Sequence, residues 1–128
     1  MKRIKVVCAM ISMNNRLLVV QRSESMSLPL KWELPGGKLE RNESELDCIL
    51  REIKEELDIE IHVTSRLTPS NFDYPNISIQ LIPFLAEYVR GNIKLVEHKQ
   101  YILLEKEELE NLDWADADIP IVKEYLKL

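Results

Sequence analysis

An α/β fold is what this chain predicts, on three observations. Two β-rich runs open it, residues 4–11 and 17–21; a long segment, 44–58, repeats apolar residues at helical spacing; further strand-like runs and two short helical stretches follow. The 128 residues are 45% hydrophobic and 30% charged, an ordinary mixture that predicts one domain over residues 1–128 with a core large enough to need no staple.

Each element has a local cause. Met13-Asn14-Asn15-Arg16 separates the first two runs, and two asparagines tolerate the positive φ that a tight hairpin requires. Residues 22–42, with Pro29, Pro35, Gly36 and Gly37, read as one long irregular stretch, a length that in compact domains signals a binding loop. Ser44 is the expected N-cap, with Asp47 at N3; Leu46, Ile49, Leu50, Ile53 and Leu57 form the apolar stripe, and the helix ends near Asp58. Strands are expected over 61–67, 77–89 and 101–104, with turns at Pro69, Pro75 and Gly91-Asn92. Pro83 inside the second of these predicts an edge position or a bulge. Short helices over 107–112 and 121–128 complete the chain, the second with Pro120 near its first turn.

Charge narrows the function. A formal net charge of -5 and a pI near 5.1 argue against a nucleic-acid polymer as partner, since such binders present a basic face. A small anionic substrate is compatible if a metal supplies positive charge. Cys8 and Cys48 form neither a disulfide framework nor a zinc spacing, and both are expected to be reduced core thiols. The amino-terminal run has no small-residue cleavage site, and no stretch approaches the ~20 apolar residues of a membrane span. A cytoplasmic protein with no membrane partner is the expectation.

The most informative cluster is Glu52, Glu55 and Glu56. On a helical wheel Glu52 and Glu56 lie about 40° apart and Glu55 about 60° from Glu52, so all three share one side of the helix, beside its apolar stripe. They stand near the C-terminal end, where the helix dipole disfavours negative charge and carboxylates at i, i+3 and i+4 repel. A bound Mg²⁺ or Mn²⁺ would reverse both effects, because hard oxygen ligands suit those ions. A solvated acidic face is the plain alternative for a Glu-rich helix; the position at the unfavourable dipole end favours ligands.

These residues also carry a resemblance. Gly37, five residues, Glu43, seven residues, then Arg51-Glu52-Ile53-Lys54-Glu55-Glu56-Leu57-Asp58-Ile59 resembles the Nudix box, G-x5-E-x7-R-E-U-x-E-E-x-G-U with U aliphatic. Eight of its nine specified positions match; Asp58 stands where the family has a final glycine. Trp32-Glu33-Leu34-Pro35-Gly36-Gly37-Lys38 and Ala117-Asp118-Ile119-Pro120 resemble segments of the MutT and CTP pyrophosphohydrolase branch. The resemblance implies an α/β/α sandwich with a mixed β-sheet. It also implies Mg²⁺-dependent attack of water on a nucleoside triphosphate, releasing monophosphate and pyrophosphate.

Roles follow from the same resemblance. Glu52 and Glu56 are expected as metal ligands, Glu55 as a ligand directly or through water, and Gly36 as a backbone ligand. Glu43 and Arg51 are expected as supports, with Arg51 on the other side of the helix from Glu52 and paired to Asp47 or Glu43. The base is left open between Glu56 and Glu97. Arg22 and Lys38 are candidates for neutralising phosphates, or are ordinary solvated cations. The segment Trp32, Glu33, Leu34 and Pro35 is expected at the nucleotide, with Trp32 and Phe72 as apolar walls or core residues. Asp118 is expected to accept from the base edge, which suits cytosine's amine or a guanine edge, or else to cap the last helix. His62 and His98 receive no role. A cytidine-type triphosphate is the first expectation, an 8-oxo-dGTP diphosphatase the second, and a non-catalytic nucleotide-binding module the third. Whether the protein is a monomer or a homodimer stays open.

Overall fold

Alternation within the first strand dictates the layering. In β1 (Ile4–Met13), Val7, Ala9 and Ile11 face one side and Cys8 and Met10 the other, all closed to solvent. A strand buried on both faces needs a covering layer on each. The computed structural model describes residues 2–128, so Met1 of the expected 1–128 domain lies outside the described residues.

β1 pairs antiparallel with β2 (Arg16–Gln21) across the Asn14-Asn15 turn, whose φ values of 51° and 64° match the predicted hairpin. It pairs in parallel with β7 (Ser78–Arg90) on its other flank. The eight-stranded mixed sheet runs β3-β2-β1-β7-β5, where β3 is Trp32–Glu33 and β5 is Glu60–Arg66. β4 (Gly36–Lys38) adds to β1, β6 (Ser70–Asp73) to β7 and β8 (Gln100–Leu104) to β2. One face is covered by α1 (Glu45–Leu57); the other is covered by α2 (Ile119–Leu126) and the 3₁₀ turns Lys106–Asn111 and Asp116–Asp118. This is the α/β/α sandwich that the resemblance implies.

α1 begins and ends as expected. The Asp47 N–H donates to Ser44 Oγ at 3.0 Å, and the helix stops at Asp58, whose φ of 56° and ψ of 37° are left-handed and whose N–H donates to Lys54 O at 3.0 Å. The apolar stripe needs correction. Leu46 and Leu50 are 47% and 39% exposed, and Cys48, Ile49, Ile53 and Leu57 form the buried face. The row 46–50–54 ends in a lysine, whereas 49–53–57 is apolar throughout, and the latter row turns inward. Each of its large side chains contributes about 1.5–3 kcal/mol by burial.

Further expectations change. Residues 22–42 contain β3 and β4, and β6 lies between Pro69 and Pro75; strands of two to four residues are too short for periodicity to reveal. Pro83 is not on an edge strand, for β7 has neighbours on both sides. It sits where pairing on one flank passes from β6 to β5, and its carbonyl accepts from Leu67 N–H at 2.9 Å. A residue's N–H and C=O point to the same side of a strand, so the missing proline donor falls in that gap. The expected helix 107–112 is the 3₁₀ turn, and the last helix starts two residues before 121, with Pro120 in its first turn. Both cysteines are free and buried. Among the described residues no helix is long and apolar enough to cross a membrane.

Candidate active site

The site is built where β4 runs under the end of α1. Gly36 and Gly37 pair with Cys8 and Val7 of β1, and neither position has room for a side chain. A Cβ on Gly36 would lie 1.9 Å from Val7 O; one on Gly37 would lie 2.0 Å from Glu52 Oε2. Gly37 therefore lets a helix carboxylate rest directly on the strand backbone, and Gly36 lets β4 lie close against β1.

Arg51 organises the charges there. Its guanidinium forks onto Glu43 at 2.6 and 3.0 Å, and its Nη1 donates to Glu52 at 2.8 Å and to Glu55 at 3.0 Å. The expectation that Arg51 faces away from Glu52 is corrected: the long stem brings the guanidinium round the helix to Glu52 and Glu55, and Glu43 rather than Asp47 is its loop partner. Hydrogen bonding to Arg51 holds the Glu43 carboxyl down at about 2. Burial pushes Glu52 up, opposed by Arg51. Glu55 is largely exposed, and Arg51 is its ion partner.

Glu56 is different. Its Oε2 is buried and has no hydrogen-bond partner among the described residues. Burial, with smaller repulsions from Glu52, Glu33 and Glu97, pushes its carboxyl up to about 7 against the attraction of His98. It lines a cavity of about 490 Å³ whose other walls come from β1, β3, the loop before β3, residues 74–81 and the turn at 115–118.

Glu33, on the same lining, is shared. One oxygen accepts from Arg22 Nη1 at 2.9 Å and the other lies 2.8 Å from His98 Nε2. Arg22 also donates to Ser27 Oγ at 2.9 Å, which draws Ser27 and Leu28 against the cavity. His98 is buried, which alone would lower its pKa, but the hydrogen bond and charge of Glu33 and the charge of Glu56 raise it on balance. Asp118 is buried, and its Oδ2 accepts from Leu34 N–H at 2.8 Å; it makes no side-chain cap on α2, which corrects that expectation. Burial and the charge of Glu33 push its carboxyl well above the usual range.

Of the residues singled out in the sequence, Arg22, Glu33, Leu34, Gly36, Lys38, Glu56 and Asp118 line this one cavity. Glu43, Arg51, Glu52 and Glu55 make the ion-pair cluster around Gly37. Trp32 and Phe72 do not line the cavity as walls; both pack against the second core layer, Phe72 with its ring 4.6 Å from that of Tyr74. Pro35 is buried with its carbonyl bonded to Ala9 N–H. Glu97 is exposed and outside the lining, near enough for its charge to act on Glu56. His62 is solvent-facing on β5. Sequence reasoning missed His98, Tyr74 and the Met26–Leu28 wall. The position of His98 beside Glu97 was the one available signal.

The Nudix domain family model matches residues 1–125. The chain belongs to the Nudix family. It is 30% identical over 128 residues to the CTP pyrophosphohydrolase of Escherichia coli K12, covering 100% of this chain and 95% of that protein. Over 73 residues it is 36% identical to an 8-oxo-dGTP diphosphatase of Proteus vulgaris, covering 57% of this chain and 65% of that one. The solution structure of MutT from methicillin-resistant Staphylococcus aureus 252 matches with a TM-score of 0.80 and 40% identity, covering 98% of this chain and 97% of that one. The protein is a Nudix hydrolase.

Nudix hydrolases generally use divalent metal ions. The residues fit such an ion: a buried carboxylate oxygen of Glu56 has no partner, Glu52 lies against the glycine backbone, and the Gly36 strand borders the same cavity. Among the described residues no three or more His, Cys, Asp or Glu side chains are already gathered to hold a metal ion, and Arg51 pairs with Glu52 and Glu55. Mg²⁺ tolerates that arrangement because it takes one or two carboxylates and fills the rest with water and phosphate.

Proposed function

We propose that this Nudix hydrolase cleaves nucleoside triphosphates of the cytidine type to the monophosphate and pyrophosphate with Mg²⁺. The observation that carries the proposal is the buried Glu56 oxygen, unpartnered among the described residues, on a cavity whose lining also includes Asp118. Glu52, Glu56 and the Gly36 carbonyl hold the ion, with Glu55 joining directly or through water. When bound, Mg²⁺ neutralises phosphate charge and lowers the pKa of attacking water. Glu43 and Arg51 keep the loop and Glu52 in place. The base that takes the water proton is Glu97 or Glu56. Arg22 and Lys38 face the phosphates, and Asp118 with Leu34 faces the base.

The cytidine preference is supported by the full-length likeness to a CTP pyrophosphohydrolase and by an Asp at the base wall. An 8-oxo-dGTP diphosphatase activity is the alternative, favoured by the likeness to the Proteus enzyme. Pyrophosphate release from CTP, dCTP, 5-methyl-dCTP, dGTP and 8-oxo-dGTP, with and without Mg²⁺, separates them. The highest kcat/KM is expected on a cytosine nucleotide and none without the ion. Preference for 8-oxo-dGTP would shift the assignment to the alternative, and no Mg²⁺-dependent turnover on any of the five would overturn both.

A further inference from the structure

Residues 91–99 connect β7 to β8 at the cavity edge with no regular structure. Their first half is pinned to the core: Ile93 and Leu95 pack on the α1 side, and Lys94 N–H donates to Leu57 O at 2.9 Å. Their end is pinned to β2, where Lys99 N–H donates to Gln21 O at 2.9 Å and the Lys99 ammonium meets Glu24 at 2.7 Å. Between these anchors Val96 and Glu97 face solvent, Val96 being 68% exposed. The one buried side chain of residues 91–99 is His98, whose Nε2 lies 2.8 Å from Glu33 Oε2.

We propose that His98 is a positioning residue: its bond to Glu33 ties this loop to β3 and thereby sets where Glu97 stands relative to Glu56. A solvent-exposed loop residue samples many backbone states unless something nearby is fixed. Glu33 is itself held from its other oxygen by Arg22, so the anchor to which His98 attaches is rigid. The buried ring nitrogen in turn requires a partner, and Glu33 is the one it has. The role for Glu97 rests on the hydrolytic function proposed above; the tie itself does not.

Two substitutions separate this role from a direct one. A glutamine places its amide nitrogen where the imidazole has Nε2, whereas an asparagine places it where the ring has Nδ1. Amide hydrogen exchange across residues 92–99 and steady-state CTP hydrolysis are measured on the full chain for H98Q, H98N, H98A and E33A. H98N and H98A are expected to speed exchange at Lys99, whose N–H is bonded to Gln21 O next to the tie, by about tenfold or more and to lower kcat by about 10–100-fold, with KM much less affected. H98Q stays near wild type in both. E33A matches H98A in loop exchange, and the double variant is no worse than either single one.

Rescue by asparagine rather than glutamine, unchanged loop exchange in H98A, or faster exchange with unchanged kcat would each overturn the proposal. A variant that unfolds is recognised by faster exchange throughout β1 and β7, and the glutamine–asparagine pair then decides. If wild type hydrolyses no nucleotide, the proposed function fails, while the exchange measurement still decides the tie.

Discussion

The two walls of the cavity treat their acids in opposite ways. On the side of β3 and the 115–118 turn every carboxylate is engaged: Glu33 lies between Arg22 and His98, and Asp118 accepts from the Leu34 backbone. On the α1 side Glu52 and Glu55, beside the cavity, lean on one arginine, while a buried oxygen of Glu56 has no hydrogen-bond partner among the described residues. A buried acid with partners is satisfied within the fold; a buried acid lacking one costs stability until something positive arrives. On the function proposed above, the contrast sets the wall satisfied by its own partners apart from the wall that would take an ion.

If that contrast is right, Glu56→Gln has the largest effect on turnover, about 10²–10⁴-fold in kcat by analogy with loss of a general base or metal ligand. Its urea midpoint should rise or stay level, because an uncharged amide relieves a buried carboxylate. A near-normal kcat in this variant would erase the distinction between the walls.

Asp118→Ala should do the reverse and act on stability first. It strands the Leu34 N–H in a buried setting, at a cost of about 1–3 kcal/mol by urea unfolding. Asp118→Asn keeps an acceptor there and should cost clearly less. Equal losses for the two would mean that the hydrogen bond is not what Asp118 contributes.

A pH titration sharpens the difference further. Glu56 keeps its proton to about 7 in the folded protein, against an ordinary value of 4.5. Between those values the folded state binds more protons than the unfolded chain, so the contribution to stability is fully present below 4.5 and is lost as pH rises through about 7. Urea unfolding of the metal-free protein should show this decline, and Glu56→Gln should make it shallower, the upward shifts of Glu52, Asp118 and His98 supplying the rest.

Much of this was legible in the sequence, for identifiable reasons. The cap at Ser44, the stop at Asp58 and the Asn14-Asn15 turn depend on local backbone chemistry, and local chemistry is written in adjacent residues. The box spacing brought Gly37 and Glu52 together although fourteen or so residues separate them, because the family pattern encodes a contact. What could not be read was the pairing of distant segments. Glu33 and His98 lie 65 positions apart, and Leu34 and Asp118 lie 84 apart. Arg51's reach to Glu52 was also missed, since wheel geometry places Cβ atoms and says little about the end of a long stem.

The smallest effect concerns the departure from the box. Asp58 holds a left-handed conformation with φ of 56°, which glycine adopts without steric cost, and its ion pair with Lys54 is exposed. Asp58→Gly should therefore stabilise by up to about 1 kcal/mol in urea unfolding, with kcat unchanged. A loss of activity there would show that the helix exit matters to the acidic wall.

The most direct test of the central claim is a Mn²⁺ titration followed by amide NMR. Paramagnetic broadening should appear first at Gly36, Gly37, Glu52 and Glu56, and Glu56→Gln should weaken it there. Broadening centred on the exposed acids elsewhere, or unchanged by that substitution, would contradict the assignment of this wall as the ion's seat.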